Sequence, residues 1–415
     1  MKRICKIRIY PNKTQTKLIY DTLSCCRYVK NMYIRYNIDK YQEDKSFISG
    51  YDFSKILNKL KKCDPTYSWL CDYSSKAIKD SIMDIDKTFK RFFRKTGGFP
   101  KFKSRKRINK ESYFFIKDNI HYVDKYHIKI PVLGKMRITE SNYLPDIDMV
   151  TSGRVIREYD KFYISLIYDT NKHIIPTSTT KIALDVGIKN YCTIYTSNNK
   201  VFYINHFKDY NNYKKLDDKI KRLQQIISNK VEINYFRKLN NYLDSHNGEE
   251  PSEKYKNIMK GESYNSSRIR RLQRKIRILH KKKNNIRKDF IYNLVNNLTA
   301  IAKPKVITIE DLDITDMTKH SGTKDSLLHK YIMESGFYLF KLHLIHKCEY
   351  YGIKLRLADR YFASSKICSS CGNKNTKLAL NDRIYECPEC GLSIDRDLNA
   401  AINLLNLKDK KCIIL

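Results

Sequence analysis

Cys368-Ser-Ser-Cys371 and Cys387-Pro-Glu-Cys390 are two Cys-x-x-Cys pairs with fifteen residues between them. Each pair clamps a divalent ion from a tight turn, so the spacing predicts one tetrahedral Zn²⁺ site rather than scattered buried thiols. Gly372 and Gly391 follow the second cysteine of each pair, where such a turn needs a positive φ. Four thiolates leave no open position for water, so the ion is expected to be structural. Three acids carry a second chemistry: Asp185 in IALDVG, Glu310 in ITIEDL and Asp397 in DRDLNAA. A carboxylate at the end of an apolar strand is costly to desolvate unless it is paired or bound to a cation. Three such groups from separate segments can share two Mg²⁺ ions, which activate a water and stabilise a departing 3′ oxygen in phosphodiester hydrolysis. Taken singly, each acid is equally a cap or a strand end. Asp395 reads as a helix cap and Asp311 as an acid supporting Glu310.

Distant segments must be brought together to position these groups. Residues 2–10 alternate charge with Ile and Cys up to Pro11 and predict one strand. From about 14 to 94 the pattern is helical. Leu18, Leu23, Val29, Met32 and Tyr33 share a face, Ile78, Ile82, Ile85, Phe89, Phe92 and Phe93 share another, and Gly97-Gly98 gives the stop. A strand-rich block to about 170, with runs at Tyr113–Ile116, Tyr126–Val132, Met136–Thr139 and Phe162–Tyr168, predicts an all-β barrel or sandwich. Residues 181–204 predict two strands. Leu216, Ile220, Leu223 and Ile227, with Ile269, Leu272, Ile276 and Leu279, predict an antiparallel helical hairpin around a mobile polar loop at 244–267. A buried strand in KPKVITIEDL, one helix over 327–351 and a strand in IKLRLAD complete an α/β pattern.

The chain has 415 residues, room for more than one core, and a net charge of +37 from 81 Lys and Arg against 44 Asp and Glu. A basic field spread over the whole length needs a polyanion, and nucleic acid is the expected partner; codon drift in an AT-rich genome explains the 32 tyrosines better than it explains the excess of Lys over Glu. Eleven of the 21 residues from Arg268 to Lys288 are basic, and Lys87–Arg107 forms a second basic stretch. Either could be a solvated face; their density favours phosphate contact. Phe99, Phe102 and Tyr126 beside these cations could stack on bases or pack in the barrel. The remaining eight cysteines lack a framework spacing, MKRICKIRIY lacks a signal-peptide apolar core, and no run is long enough to span a membrane. A reducing compartment, cytosol or nucleus, is expected.

At these residues the chain resembles the TnpB family, the RNA-guided nucleases of IS200/IS605-type and IS607-type transposons, and its eukaryotic and viral Fanzor relatives. The resemblance is carried by Asp185-Val-Gly-Ile-Lys-Asn, Ile309-Glu310-Asp-Leu, Ser364-Ser-Lys-Ile-Cys-Ser-Ser-Cys-Gly and Asp395-Arg-Asp-Leu-Asn-Ala-Ala-Ile-Asn, and extends to Arg8-Ile-Tyr-Pro-Asn-Lys-Thr-Gln, Gly98-Phe-Pro-Lys-Phe-Lys-Ser-Arg-Lys and Arg287-Lys-Asp-Phe. Glu310 stands on the second-acid strand, as in TnpB and the TnpB-like second type of Fanzor. The resemblance implies a multi-domain α/β protein: a β-barrel (WED) over 1–12 and 97–178, a helical recognition (REC) domain over 13–96, and an RNase H-like RuvC domain over 179–363 with its hairpin at 210–298. A zinc ribbon over 364–394 would follow, and 395–415 would close the RuvC domain. It implies Asp185, Glu310 and Asp397 as catalytic Mg²⁺ ligands and Cys368, Cys371, Cys387 and Cys390 as Zn²⁺ ligands. It further implies a monomeric complex with an omega-type guide RNA that cleaves double-stranded DNA beside a short adjacent motif. Two other classes remain: a strand-transfer transposase on the same core, which the zinc ribbon between the second and third acids disfavours, and a nucleic-acid-binding protein with a decayed site, which the three intact acids disfavour.

Overall fold

The computed structural model describes residues 2–105, 109–117, 120–139, 144–170, 178–264, 266–312, 326–379, 382–408 and 412–414, with 326–328 as backbone alone. The chain divides into two compact units, residues 1–171 and 172–415.

The first unit runs β1 (Lys2–Tyr10), α1 (Lys13–Asp44), α2 (Gly50–Cys63), a 3₁₀ turn at Pro65–Asp72, α3 (Ser75–Phe93), β2 (Lys110–Ile116), β3 (His121–Asp124), β4 (His127–Ile130), β5 (Gly134–Ile138), β6 (Val150–Glu158) and β7 (Lys161–Asp169). The strands form one antiparallel seven-stranded sheet in the order β2-β6-β7-β1-β5-β4-β3. Among the described residues its edges, β2 and β3, are not bonded to each other, so the predicted barrel or sandwich is a single sheet. Alternation puts Cys5, Ile7 and Ile9 of β1 and Phe162, Ile164 and Leu166 of β7 on one face, where Ile19 and Leu23 of α1 cover them. The helix is set against the sheet at its first turn. Asn12 accepts from the Gln15 N–H at 2.8 Å, and Gln15 Oε1 accepts from the Asn12 N–H at 3.0 Å, a reciprocal cap. The Gln15 amide then donates to Leu133 and Lys135 carbonyls at 2.9 and 2.8 Å. This explains the Pro-Asn-Lys-Thr-Gln motif at the strand–helix junction.

A second core lies among the three helices, with Tyr33, Phe53 and Phe89 fully or almost fully buried. Asp86 sits in it at 2 % exposure. Burial raises its carboxyl, but Lys90, the Gly50 N–H and the Tyr33 hydroxyl stabilise the anion and win, leaving the pKa below the usual value. Because the folded pKa is depressed, this contribution is present above the unfolded pKa and is lost as pH falls through the folded one. Asp86→Asn is expected to destabilise the unit by about 1–3 kcal/mol at neutral pH, with the difference shrinking below about pH 4. Urea titrations at pH 7 and pH 3.5 check it; an equal penalty at both would show that the charge is irrelevant.

The second unit runs β8 (Lys181–Val186), β9 (Asn190–Thr196), β10 (Val201–Asn205), α4 (Asn211–Ser245), α5 (Glu253–Ser263), α6 (Ser267–Asn296), a π turn at Asn297–Ile301, β11 (Val306–Glu310), α7 (Ser326–Ser335), α8 (Phe337–Tyr351), β12 (Lys354–Ala358), β13 (Ile384–Glu386), β14 (Ser393–Asp395), α9 (Arg396–Leu405) and β15 (Cys412–Ile414). Six strands form a mixed sheet, β10-β9-β8-β11-β12-β15, whose centre β8-β11-β12 is parallel. The alternation splits its faces. Ile182, Leu184, Ile307, Ile309, Leu355 and Leu357 join Ile291, Phe340 and Leu344 of α6 and α8 in one core. Ala183 and Ala358 point the other way, toward Leu404 of α9.

The structure corrects several sequence expectations. The pair of strands over 181–204 is three, since β10 follows a short turn. The loop at 244–267 contains α5, whose few apolar groups hide its docking; Met259 is 4 % exposed, and Asn234 of α4 donates to the Ser263 carbonyl at 3.2 Å. The helix over 327–351 is two, broken at Gly336 with φ +75°. α3 ends at Phe93, ahead of Gly97-Gly98, and the chain turns at Lys95 with φ +57°.

Candidate active site

Strand period places the first two acids side by side. Ile309 of β11 is in register with Leu184 of β8, so the next residues on the two parallel strands are Glu310 and Asp185. Both leave the sheet on the face that carries Ala183, the face covered by α9. Asp397 lies in the first turn of α9. The charge of Asp397 reaches both strand-end carboxylates. The Asp185 carboxyl is held well above the usual range by burial first, then by the charges of Glu310 and Asp397. Glu310 is raised by burial and by Asp397, against the Ser364 hydroxyl and Arg396. Asp397 is raised by burial and Asp395, against Arg383, Arg396 and Lys189. Two buried strand-end acids whose ionisation is opposed by the charge of a third are a site that a divalent cation would relieve.

Asp395 is the helix cap. Its Oδ1 accepts the backbone N–H groups of Asp397 and Leu398 at 3.0 Å each. Asp311 is ion-paired to Lys341, with Arg360 3.7 Å away, and these side chains line a cleft of about 380 Å³ that opens beside Glu310.

The four cysteines converge as the spacing required: their sulfurs lie within 4.8 Å of one another. The Gly372 N–H donates to Cys368 O at 3.0 Å and the Gly391 N–H to Cys387 O at 3.1 Å, with φ of +80° and +69°. Two such turns facing each other have the form of knuckles that could hold a zinc ion. Backbone N–H groups of Cys390 and Glu389 hold the Cys387 thiol down to about 6. Cys371, although an N–H at Asn373 favours its anion, is pushed up to about 12 by the neighbouring thiols. So crowded a set cannot ionise together without a cation, and its donors are the soft ones that suit Zn²⁺.

Sequence reasoning missed the side chains that join these two centres. Ser364, 3 % exposed, donates its hydroxyl to Glu310 Oε1. Asn403 donates to the carbonyls of Ser364 and Ile367 at 2.8 and 2.7 Å, and Asn399 to Ile367 O at 2.7 Å while accepting the Ser369 N–H at 2.9 Å. The root of the first knuckle is thus tied to the helix that carries Asp397. Their signal was present: polar residues at apolar-facing positions of Ala-Ala-Ile-Asn and beside the first cysteine. Tyr203 of β10 is also close enough to feel Asp395 and Asp397.

The structure also sorts the basic run. Arg268, Arg270, Arg271, Arg274, Lys275, Lys282 and Lys288 of α6 are exposed, whereas Lys283 is buried and paired with Asp217 of α4. Of the first group, Arg268, Arg270, Arg271, Arg274, Lys275 and Lys282 present their charge to solvent, where phosphate could meet it, and Lys283 holds the hairpin.

Three family models match: one described as a helix-turn-helix domain over residues 1–46, one as a probable transposase (OrfB of IS605) over 165–321, and one as a Cas12f1-like TNB domain over 337–404. In this chain residues 1–46 hold β1 and a single long helix. A protein of Streptomyces pristinaespiralis named as a candidate RNA-guided DNA endonuclease is 25 % identical over 98 % of this chain and 89 % of its own length. A TnpB-like protein of Acanthamoeba polyphaga mimivirus is 25 % identical over 97 % of this chain and 72 % of its own. The solved Cas12f1–sgRNA–target DNA complex superposes with a TM-score of 0.34 at 16 % identity, over 98 % of this chain and 99 % of that one.

Proposed function

As the chain is a TnpB-family protein, we propose that it is a transposon-associated RNA-guided DNA endonuclease whose second unit is an RNase H-like RuvC nuclease interrupted by a zinc ribbon. The observation that carries the reading is the convergence of Asp185 and Glu310, side by side at the ends of the central parallel strands β8 and β11, with the charge of Asp397 acting on both. With Mg²⁺ held by these carboxylates, the site supplies an activated water and a counter-charge for the departing 3′ oxygen. Ser364 fixes the Glu310 carboxyl, and the Asp395 cap fixes the turn that presents Asp397. Arg396 and Lys189 lie close enough to act on the site's charge and would hold the scissile phosphate in place. The exposed cations of α6 grip nucleic-acid backbone, while guide pairing supplies sequence choice. The helical and sheet parts of the first unit correspond to the REC and WED domains, the ribonucleoprotein is monomeric, and its guide is of the omega type.

The experiment is to purify the protein with its own locus transcript and offer DNA with and without a guide match. Matched DNA alone should be cut, only with Mg²⁺. Equal cutting of unmatched DNA, or full activity of RNase-treated free protein, rules the reading out; strand joining in place of hydrolysis would make it a transposase. Within Asp-Arg-Asp, Asp395→Ala is expected to cost about 1 kcal/mol of helix stability and leave measurable cutting, while Asp397→Ala leaves none. The reverse order would exchange their roles.

A further inference from the structure

Residues Lys90–Arg105 contain seven Lys or Arg and no acid, interleaved with Phe92, Phe93, Phe99 and Phe102. In the first unit the end of α3 and this segment meet the end of α1 around a cleft of about 390 Å³ lined by Tyr41, Phe47, Phe89, Phe92, Phe93 and Phe99. The rings stand edge to face: Phe47 on Phe93 at 5.0 Å, Phe92 on Phe99 at 5.3 Å and Phe89 on Phe99 at 5.6 Å. Phe89 is the buried floor, whereas Tyr41, Phe93 and Phe99 are 58, 56 and 46 % exposed. Rings left in water side by side mark a contact surface rather than a core. Its cationic rim is Lys45, in the lining itself, and the sequence neighbours of the lining rings: Arg91, Arg94, Lys95 and Lys101 are exposed and form no ion pair among the described residues, while Asp44 and Asp86 are already bonded to Lys40 and Lys90.

We propose that this cleft holds an unpaired nucleobase of the bound RNA, with the rim cations on the flanking phosphates; this rests on the RNA-binding reading and names a subsite for it. An aromatic cleft with cations beside it matches a nucleotide part by part, since a base stacks on aromatic faces and the backbone meets ammonium and guanidinium groups. A second copy of this chain would bring another +37 body to a cationic face and is repelled. Duplex DNA keeps its bases inside the stack, whereas RNA loops and bulges splay theirs outward.

The test combines a variant with a crosslink on the unaltered protein. Phe93→Ala with Phe99→Ala, both at exposed positions, should raise the Kd for the locus transcript about ten-fold or more without changing its salt slope, because the cations remain. Phe93→Trp should keep wild-type affinity. Transcript carrying 4-thiouridine should crosslink, on irradiation of the wild-type protein, to the peptide spanning Phe89–Phe102. A Kd within about two-fold of wild type with no crosslink in that peptide overturns the proposal. So does a loss seen only when target DNA is added, or a change in oligomeric state instead of RNA affinity. Wild-type protein that binds no RNA at all would overturn both this subsite and the RNA-guided reading; RNA binding indifferent to the cleft overturns the subsite alone.

Discussion

Asp185→Ala, Glu310→Ala and Asp397→Ala should each lower the rate of DNA cutting by at least about a thousand-fold, roughly 4 kcal/mol of transition-state stabilisation, with guide and target affinity within about two-fold of wild type. Asp185 is raised by the charges of Glu310 and Asp397, and Glu310 by that of Asp397, so removing one acid changes the electrostatics of the site. A pair of divalent ions left with fewer ligands repel one another without compensation. The same crowding gives the variants an opposite signature in the absence of metal. Asp185→Asn removes a carboxyl whose ionisation burial and its neighbours oppose, so the metal-free variant should melt above the wild type at neutral pH, with the difference shrinking as pH falls into the ordinary carboxylate range. Added Mg²⁺ should raise the wild-type melting temperature and leave the variant nearly unmoved. A variant that loses cutting and also melts well below wild type would mean that Asp185 holds the fold and that its loss says nothing about chemistry.

Loss of zinc is the second large effect. Cys387→Ser should abolish stoichiometric zinc, open the segment between Ile367 and Ile394 to proteolysis, and cut the nuclease rate at least ten-fold. Structural zinc contributes apparent free energies of about 10 kcal/mol or more in small domains, far beyond what the few buried residues of the ribbon, Cys368, Leu378, Tyr385 and Cys387, could replace. The effect reaches the acids because the first knuckle and Ser364 share one short segment, and Ser364 holds Glu310. Asn403→Ala separates the two parts. It leaves four thiolates and full zinc content, removes donors to the Ser364 and Ile367 carbonyls, and should cost about 1–3 kcal/mol of stability together with activity. Natively purified, chelator-free protein with almost no zinc would sink the structural-zinc assignment. Full cutting by the zinc-free Cys387→Ser protein would sink the coupling instead.

The residues that could do chemistry carry their signal in the sequence, because metal sites and strand-end acids constrain residue type locally. Cys-x-x-Cys-Gly specifies its own turn; Gly372 and Gly391 adopt the positive φ that the knuckle requires. IALDVG and ITIEDL announce buried strands ending in a carboxylate, and period-two alternation fixes that Asp185 shares a face with Ala183 rather than with Leu184. The long stripes of α4 and α6 likewise determine a hairpin by their own periodicity. What failed were elements whose signal is weak until a neighbour completes it. β10 is mostly exposed along its length, and α5 is polar apart from the groups that dock on α4, so neither carries enough apolar pattern to be found alone. Asp395 and Asp397 show the same limit at the site. Two acids two residues apart look alike in sequence, and only the packing of α9 against β8, which starts the helix at Arg396, turns one into the cap that binds backbone N–H groups. The other is set toward Glu310 and Asp185, because a first-turn side chain is free of that bond and lies under the charge of the neighbouring strands.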